Sequence, residues 1–186
     1  MNMTDNLVQQ KIDSTLSRFT ARAFAGGVLS MFGHNPTFLA RDIQGEISYS
    51  PEKPEESKVI VRINAASLEV TDNISEKDRQ EIQRIMWDEV LRVQQYRQIL
   101  FESTSVTGEK ISAGIYRISI EGSLTLHGVV KPKTIQAQVV LSDDSLRTYG
   151  EFSVFQSEFG IKRVSVAAGG LEVKDEVKIS FDIVAK

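Results

Sequence analysis

The sequence predicts an all-β domain with one helix, built from about eight antiparallel strands. Three observations carry this expectation. Short runs that alternate apolar and polar residues recur from Ile12 to Val184, separated by turn residues. The connections between neighbouring runs are mostly short, which favours antiparallel pairing. One segment alone, Asp72 to Val93, changes to spacings of three and four. Antiparallel strands in this number either stack as a sandwich or close as a barrel. Closure removes exposed edges, and an eight-stranded barrel is just wide enough to hold side chains or one small ligand.

Residues 1–11 read as a flexible N-terminal tail and residues 12–186 as one domain. The first run is Leu16 to Phe24; its alternation is imperfect because Arg18 and Arg22 share a phase with Leu16 and Phe24. The loop Ala25-Gly26-Gly27 leads to Val28–Phe32, and Gly33-His34-Asn35-Pro36 makes the next turn. From Phe38 to Tyr49, Leu39, Arg41, Ile43, Gly45, Ile47 and Tyr49 lie in one phase. The acidic stretch Pro51 to Glu56 reads as a hairpin loop, and Val59, Val61 and Ile63 make a clear strand.

The helix is expected over Ser75 to Val93, with Ile82, Ile85, Met86, Val90 and Val93 as its apolar stripe. Ser75 with Asp78 forms a capping box in which Asp replaces the usual Glu or Gln. Glu76, Asp78 and Glu81 place negative charge near the positive end of the helix dipole. Glu81–Arg84 and Asp88–Arg92 read as weak surface pairs. Such a helix is expected to lie against an open sheet edge or to plug a barrel end.

Strands follow at Ile99–Val106, Tyr116–Leu126, Ile135–Leu141, Tyr149–Phe155 and Val177–Val184. Between the second and third, His127-Gly128 breaks the alternation, with Gly128 free to take positive φ, and Lys131-Pro132-Lys133 ends the interruption. Asp143-Asp144 is a turn signal. In the last strand Val177, Ile179, Phe181 and Ile183 face inward.

Composition narrows the function. There is no cysteine, hence no disulfide, thiolate nucleophile or Cys-based metal site. A net charge of −3, from 22 basic and 25 acidic residues, argues against nucleic acid and against a polybasic membrane patch. No run approaches the roughly 18 apolar residues of a membrane span. Met1 to Gln10 lacks the basic and apolar regions of a signal peptide, so a cytoplasmic location is expected, or a periplasmic one if a leader has been removed. No Ser-His-Asp order, HExxH, P-loop or paired-carboxylate motif is present, so neither catalysis nor a cofactor is expected. His34 and His127 lack companions at metal-ligand spacing, so no metal site is expected.

Particular segments resemble the YceI-like family of lipocalin-like, polyisoprenoid-binding proteins. Ile12-Asp13 with Ser17 and Phe19 is similar to its opening strand, and Ile63-Asn64-Ala65-Ala66-Ser67-Leu68 to the segment after its third strand. Lys77-Asp78-Arg79 opens the helix in the family's manner, and Phe101-Glu102-Ser103-Thr104 resembles its Phe-x-Ser-Thr strand. Gly122-Ser123-Leu124-Thr125-Leu126-His127-Gly128 is the most specific match. Ser157-Glu158-Phe159-Gly160-Ile161 and Asp175-Glu176-Val177 complete the set. Two departures stand out: Gln156 occupies a position where the family often has Arg, and the helix is longer than in many members.

The resemblance implies a lipocalin-like antiparallel β-barrel whose apolar interior binds or carries an isoprenoid or another amphipathic, lipid-like chain without catalysis. Each isoprene unit offers about 3–4 kcal/mol gross at about 0.8 kcal/mol per buried CH₂. The expected ligand-binding residues are Phe19, Phe24, Phe32, His34, Phe38, Trp87, Phe101 and Phe155. Of the phenylalanines, two or three are expected to line a cavity and the rest to fill the core. His34 reads as a head-group donor at the pocket mouth or as a turn histidine; His127 reads as a polar residue closing its hairpin. Trp87 packs at the edge of the helical stripe or meets a ligand or partner. The alternative function is a structural, protein-interaction module whose barrel is filled by its own side chains, with the 75–93 helix as partner surface. A homodimer is left open as an assembly.

Overall fold

Alternating residues become strands because one face of each run needs burial, and here those faces share a single lumen. The computed structural model describes residues 7–26, 35–166 and 171–186. The first half of the chain gives β1 (Val8–Lys11), β2 (Arg18–Arg22), β3 (Ala25–Gly26), β4 (Thr37–Ala40), β5 (Ile43–Tyr49), β6 (Lys58–Asn64) and β7 (Leu68–Val70). The helix α1 (Glu76–Ile85) follows and continues into a π turn over Met86–Val90. Then come β8 (Gln98–Ser112), β9 (Ile115–Leu126), β10 (Val129–Leu141) and β11 (Leu146–Phe155). The last elements are β12 (Ser165–Val166), β13 (Leu171–Val173) and β14 (Glu176–Ala185).

Eleven segments form one antiparallel sheet in the order β1-β5-β6-β8-β9-β10-β11-β14-β2-β4-β7. Three neighbouring pairs in sequence are halves of one interrupted strand: β1 with β2, β4 with β5, and β6 with β7. Each keeps its partner across the break, as Lys11↔Glu46 and Thr20↔Leu39 do for the first pair, and Ile43↔Ile63 and Phe38↔Val70 for the next. Eleven segments less these three joins leave eight strands. The ring closes where the first strand meets the last. Lys11 N donates to Lys186 O at 2.7 Å, Lys186 N to Lys11 O at 2.9 Å, and Asp13 N to Val184 O at 2.8 Å. Further along, β2 pairs β14 from Arg22↔Lys178 to Arg18↔Asp182. The expected antiparallel barrel is therefore present. A second small sheet, β12-β13-β3, lies beside it.

Val8–Lys11, expected to be tail, is strand instead: the short segment offers little alternation to read, but its backbone pairs β5 from Val8↔Tyr49 to Lys11↔Glu46. The expected strand Val28–Phe32 lies outside the described residues, as do Phe32 and His34. The β9–β10 hairpin runs unbroken to Val129↔Leu126 on the two-residue turn His127-Gly128, with φ of 53° and 73°. Lys131-Pro132-Lys133 belongs to β10 rather than interrupting it. Pro132 is tolerated because β10 has only β9 beside it there; pairing with β11 begins at Ala137.

The helix starts as expected. Ser75 Oγ accepts from Asp78 N at 3.1 Å and donates to Asp78 Oδ2 at 2.7 Å. It ends earlier than Val93, in the π turn marked by Leu91 N to Met86 O at 2.9 Å. Arg92 then takes a left-handed φ of 51°. That turn carries Arg92 over the Tyr96 ring, at 5.9 Å, and the Asp88–Arg92 pair is not formed among the described residues. The expected Glu81–Arg84 pair is formed at 2.9 Å, and Arg84 also pairs with Glu89 at 3.0 Å.

Three side chains one helical turn apart join α1 and its π turn to the free edge of β7. Arg79 donates to Val70 O at 2.8 Å and to Asp72 O at 2.7 Å. Gln83 accepts from Val70 N at 2.9 Å and donates to Leu68 O at 2.7 Å. Trp87 Nε1 donates to the same Leu68 O at 3.1 Å. The helix thus supplies the hydrogen bonds that a ninth strand would have made.

Candidate ligand-binding lumen

The inner faces of the eight strands leave the barrel hollow in two adjoining regions. One, the loop chamber, lies beside residues 50–57 and has a volume of about 130 Å³. Val59, Phe101, Ile120, Thr148 and Phe181 are among its walls, and Ser50, Pro51, Pro54 and Ser57 stand at its rim. The other, the helix chamber, lies under α1 and measures about 390 Å³, within the range of small-molecule pockets. Ala21, Phe38, Val154 and Val177 wall it from the sheet; Ile82 and Met86 roof it from the helix. Phe19, Ile99, Leu124 and Phe152 border both chambers, so the two share one waist.

The strand period explains this placement. On β11, Leu146, Thr148, Phe152 and Val154 face inward, while Arg147, Tyr149, Glu151 and Phe155 face out. On the helix, the stripe residues Ile82, Ile85, Met86 and Val90 all reach the helix chamber. The expectation of an apolar stripe closing a barrel end is met, and its function is to roof a cavity.

Polar groups in the lumen are few. No Asp, Glu, Lys, Arg or His lines the loop chamber among the described residues. Its polar members are Tyr49, Ser50, Ser57, Tyr116 and Thr148. Tyr116 donates its hydroxyl to Pro51 O at 3.2 Å. Burial pushes the Tyr49 phenol up from its ordinary range, so it stays an uncharged hydroxyl near neutral pH. The helix chamber has Glu81 and Gln156 as its polar members. Glu81 is held by Arg84, and Gln156 donates to Lys174 O at 2.9 Å. Three buried side-chain atoms lack a hydrogen-bond partner among the described residues: Gln10 Oε1, His127 Nε2 and Thr148 Oγ1. Of these residues only Thr148 lines a chamber.

The expected ligand-binding residues separate into three groups. Phe19, Phe38 and Phe101 line the lumen, Phe19 at the waist. Phe24, Phe155 and Trp87 line neither chamber. Phe24 shares its phase with Arg22, whose guanidinium lies 5.6 Å from its ring, and Phe155 is 41 % exposed on the outer face of β11. Trp87 packs against the β7 edge, where its Nε1 donates to Leu68 O. Phe32 and His34 are outside the described residues. His127 closes its hairpin: Nδ1 lies 3.3 Å from Phe159 O, and the ring packs at a tilt against Tyr96 with centroids 4.3 Å apart. Phe152, Ile99 and Leu124 line both chambers and were not among the expected site residues; their inward strand phase is the signal that marks them.

Residues 11–185 match the YceI-like domain. A UPF0312 protein of Ectopseudomonas mendocina (strain ymp) is 33 % identical over 129 residues, which cover 69 % of this chain and 62 % of that protein. A UPF0312 protein of Pseudomonas putida (strain W619) is 37 % identical over 99 residues, covering 52 % and 45 % respectively. The chain thus spans less than two thirds of these relatives' lengths. Among solved structures, Burkholderia cenocepacia BcnA superposes with a TM-score of 0.70 at 17 % identity, covering 94 % of this chain and 99 % of that one. A polyisoprenoid binding domain from Saccharophagus degradans gives 0.68 at 15 % identity, covering 97 % and 99 %.

Proposed function

This chain belongs to the YceI-like domain family, and from that premise we propose that its lumen binds or carries an apolar or amphipathic, lipid-like molecule without transforming it. The observation that carries the reading is the hollow, almost wholly apolar interior, with chambers of about 130 and 390 Å³ meeting at one waist. Aliphatic and aromatic walls reward burial of a hydrocarbon in proportion to its area, at roughly 25 cal/mol per Å². They offer few directional contacts, so selectivity among chains of similar bulk is low. The Saccharophagus degradans domain, described as polyisoprenoid-binding, has a similar fold and makes an isoprenoid the first candidate for this chain as well.

The alternative, a barrel filled by its own side chains, has the open chambers against it. Organic extraction of natively purified protein, followed by mass spectrometry, tests the lipid-binding reading. A stoichiometric hydrocarbon-chain molecule in the extract is expected, or, if the protein is purified empty, uptake of isoprenoids or fatty alcohols in titration. An empty extract together with no uptake would sink the reading.

A further inference from the structure

We propose that Thr148 recognises an uncharged hydrogen-bonding head group, a hydroxyl or carbonyl, that the lumen's ligand carries into the loop chamber. This rests on the lipid-binding reading and adds to it the chemistry of the ligand's polar end. Thr148 is 8 % exposed, and its Oγ1 has no hydrogen-bond partner among the described residues. Its cross-strand neighbours are Val139 on β10 and Ile183 on β14, which offer a hydroxyl nothing. Valine has nearly the same shape and would fill the site without desolvating a polar atom. An unpaired hydroxyl in such a wall is costly to the empty protein and is satisfied once a ligand brings a partner.

The head group is uncharged because of what surrounds it. No ionisable acid or base from Asp, Glu, Lys, Arg or His lines the loop chamber among the described residues. A carboxylate or phosphate there would lose its hydration with no counter-charge in return. The helix chamber gives an anion no better place, since its one charged lining residue among those described is the acidic Glu81. Chamber volumes set the orientation: hydrocarbon occupies the helix chamber of about 390 Å³, and the head occupies the loop chamber of about 130 Å³.

The test is competition for Nile red bound to the full chain, with four probes of matched length: oleyl alcohol, methyl oleate, 1-octadecene and, at pH 8, oleate. The two neutral polar probes are expected to bind about 3–10-fold tighter than 1-octadecene, the return of one net hydrogen bond. Oleate is expected to be the weakest. Thr148→Val should bring oleyl alcohol down to the level of 1-octadecene while leaving 1-octadecene unchanged, and it should unfold at no lower temperature than the parent. Thr148→Ser keeps the hydroxyl and should keep the preference. If Thr148→Val retains the full preference for the alcohol, or if oleate binds as tightly as the alcohol, the head-group assignment is overturned while lipid binding stands. If none of the four displaces Nile red, the lipid-binding reading falls and this proposal with it.

Discussion

Gly128 completes the two-residue turn between β9 and β10 and does so under two separate constraints. Its φ is 73°, and a Cβ placed there would lie 2.7 Å from Cε1 of Tyr96. Gly160 shares only the first constraint, with φ of 66° and nothing within 4 Å of a Cβ. The pair therefore separates backbone strain from steric overlap. Gly160→Ala should lose about 1 kcal/mol, the left-handed penalty alone. Gly128→Ala should lose about 2–3 kcal/mol, because Tyr96 must also move and its ring contact with His127 is disturbed. Urea unfolding of both variants decides the matter; equal losses would mean that Tyr96 yields freely. At this scale the sequence was readable where backbone chemistry is specific, as at His127-Gly128, and where strand phase is respected. Phe24 and Phe155 show the limit. Phe155 shares a phase with the exposed Tyr149, so alternation places it outside, whereas Phe24 follows an imperfectly alternating run, lies half-buried against Arg22 and lines neither chamber. Their aromatic character had drawn them into the expected site.

The helix is an element with two jobs on two faces. Ile82, Ile85, Met86 and Val90 roof the helix chamber, and Arg79, Gln83 and Trp87 satisfy the edge of β7. The roof was legible from a stripe at spacings of three and four, and the start from the Ser75–Asp78 capping box. The second job was not legible, because polar residues at a spacing of four look like an ordinary solvated face. Only the position of β7, a three-residue strand without partner on one side, gives them their role. Gln83→Leu should cost about 1–3 kcal/mol by leaving the Val70 N–H unpaired. It should also speed hydrogen exchange at that amide well before global unfolding. Trp87→Phe should cost less, about 0.5–1.5 kcal/mol, since Leu68 O keeps its bond from Gln83. If Val70 exchanges no faster in Gln83→Leu than in the parent, the helix is not acting as the missing strand.

At the scale of the molecule, about eight antiparallel strands follow from alternation and short connections, but those signals leave a sandwich and a barrel equally open, and closure was expected from the family resemblance. The closing seam is mostly backbone to backbone, between residues 11–13 and 184–186, with Ser17 Oγ accepting from Val184 N at 3.0 Å and donating to Val184 O at 3.3 Å, and one serine is too common a residue to announce a seam. The division of the lumen is equally silent in sequence. It depends on the space left over by side chains of different size, with Phe19, Ile99, Leu124 and Phe152 narrowing the middle and Ala21 leaving room beyond. That arrangement makes chain length the property to test. Ala21 is a small wall residue of the helix chamber, so Ala21→Phe places a ring in space that is already empty and need not displace the core. Its bulk should occupy the region assigned to hydrocarbon and leave the loop chamber, which Ala21 does not line, unaltered. Affinity for oleyl alcohol should then fall at least about tenfold, the loss of roughly two buried CH₂ groups or more. Affinity for octanol, short enough to sit mainly in the loop chamber, should change by less than about twofold, a difference below 0.5 kcal/mol. Equal weakening of both alcohols would mean that the two chambers do not accommodate head and tail separately, and undiminished binding of oleyl alcohol would mean that its chain lies somewhere other than beneath the helix.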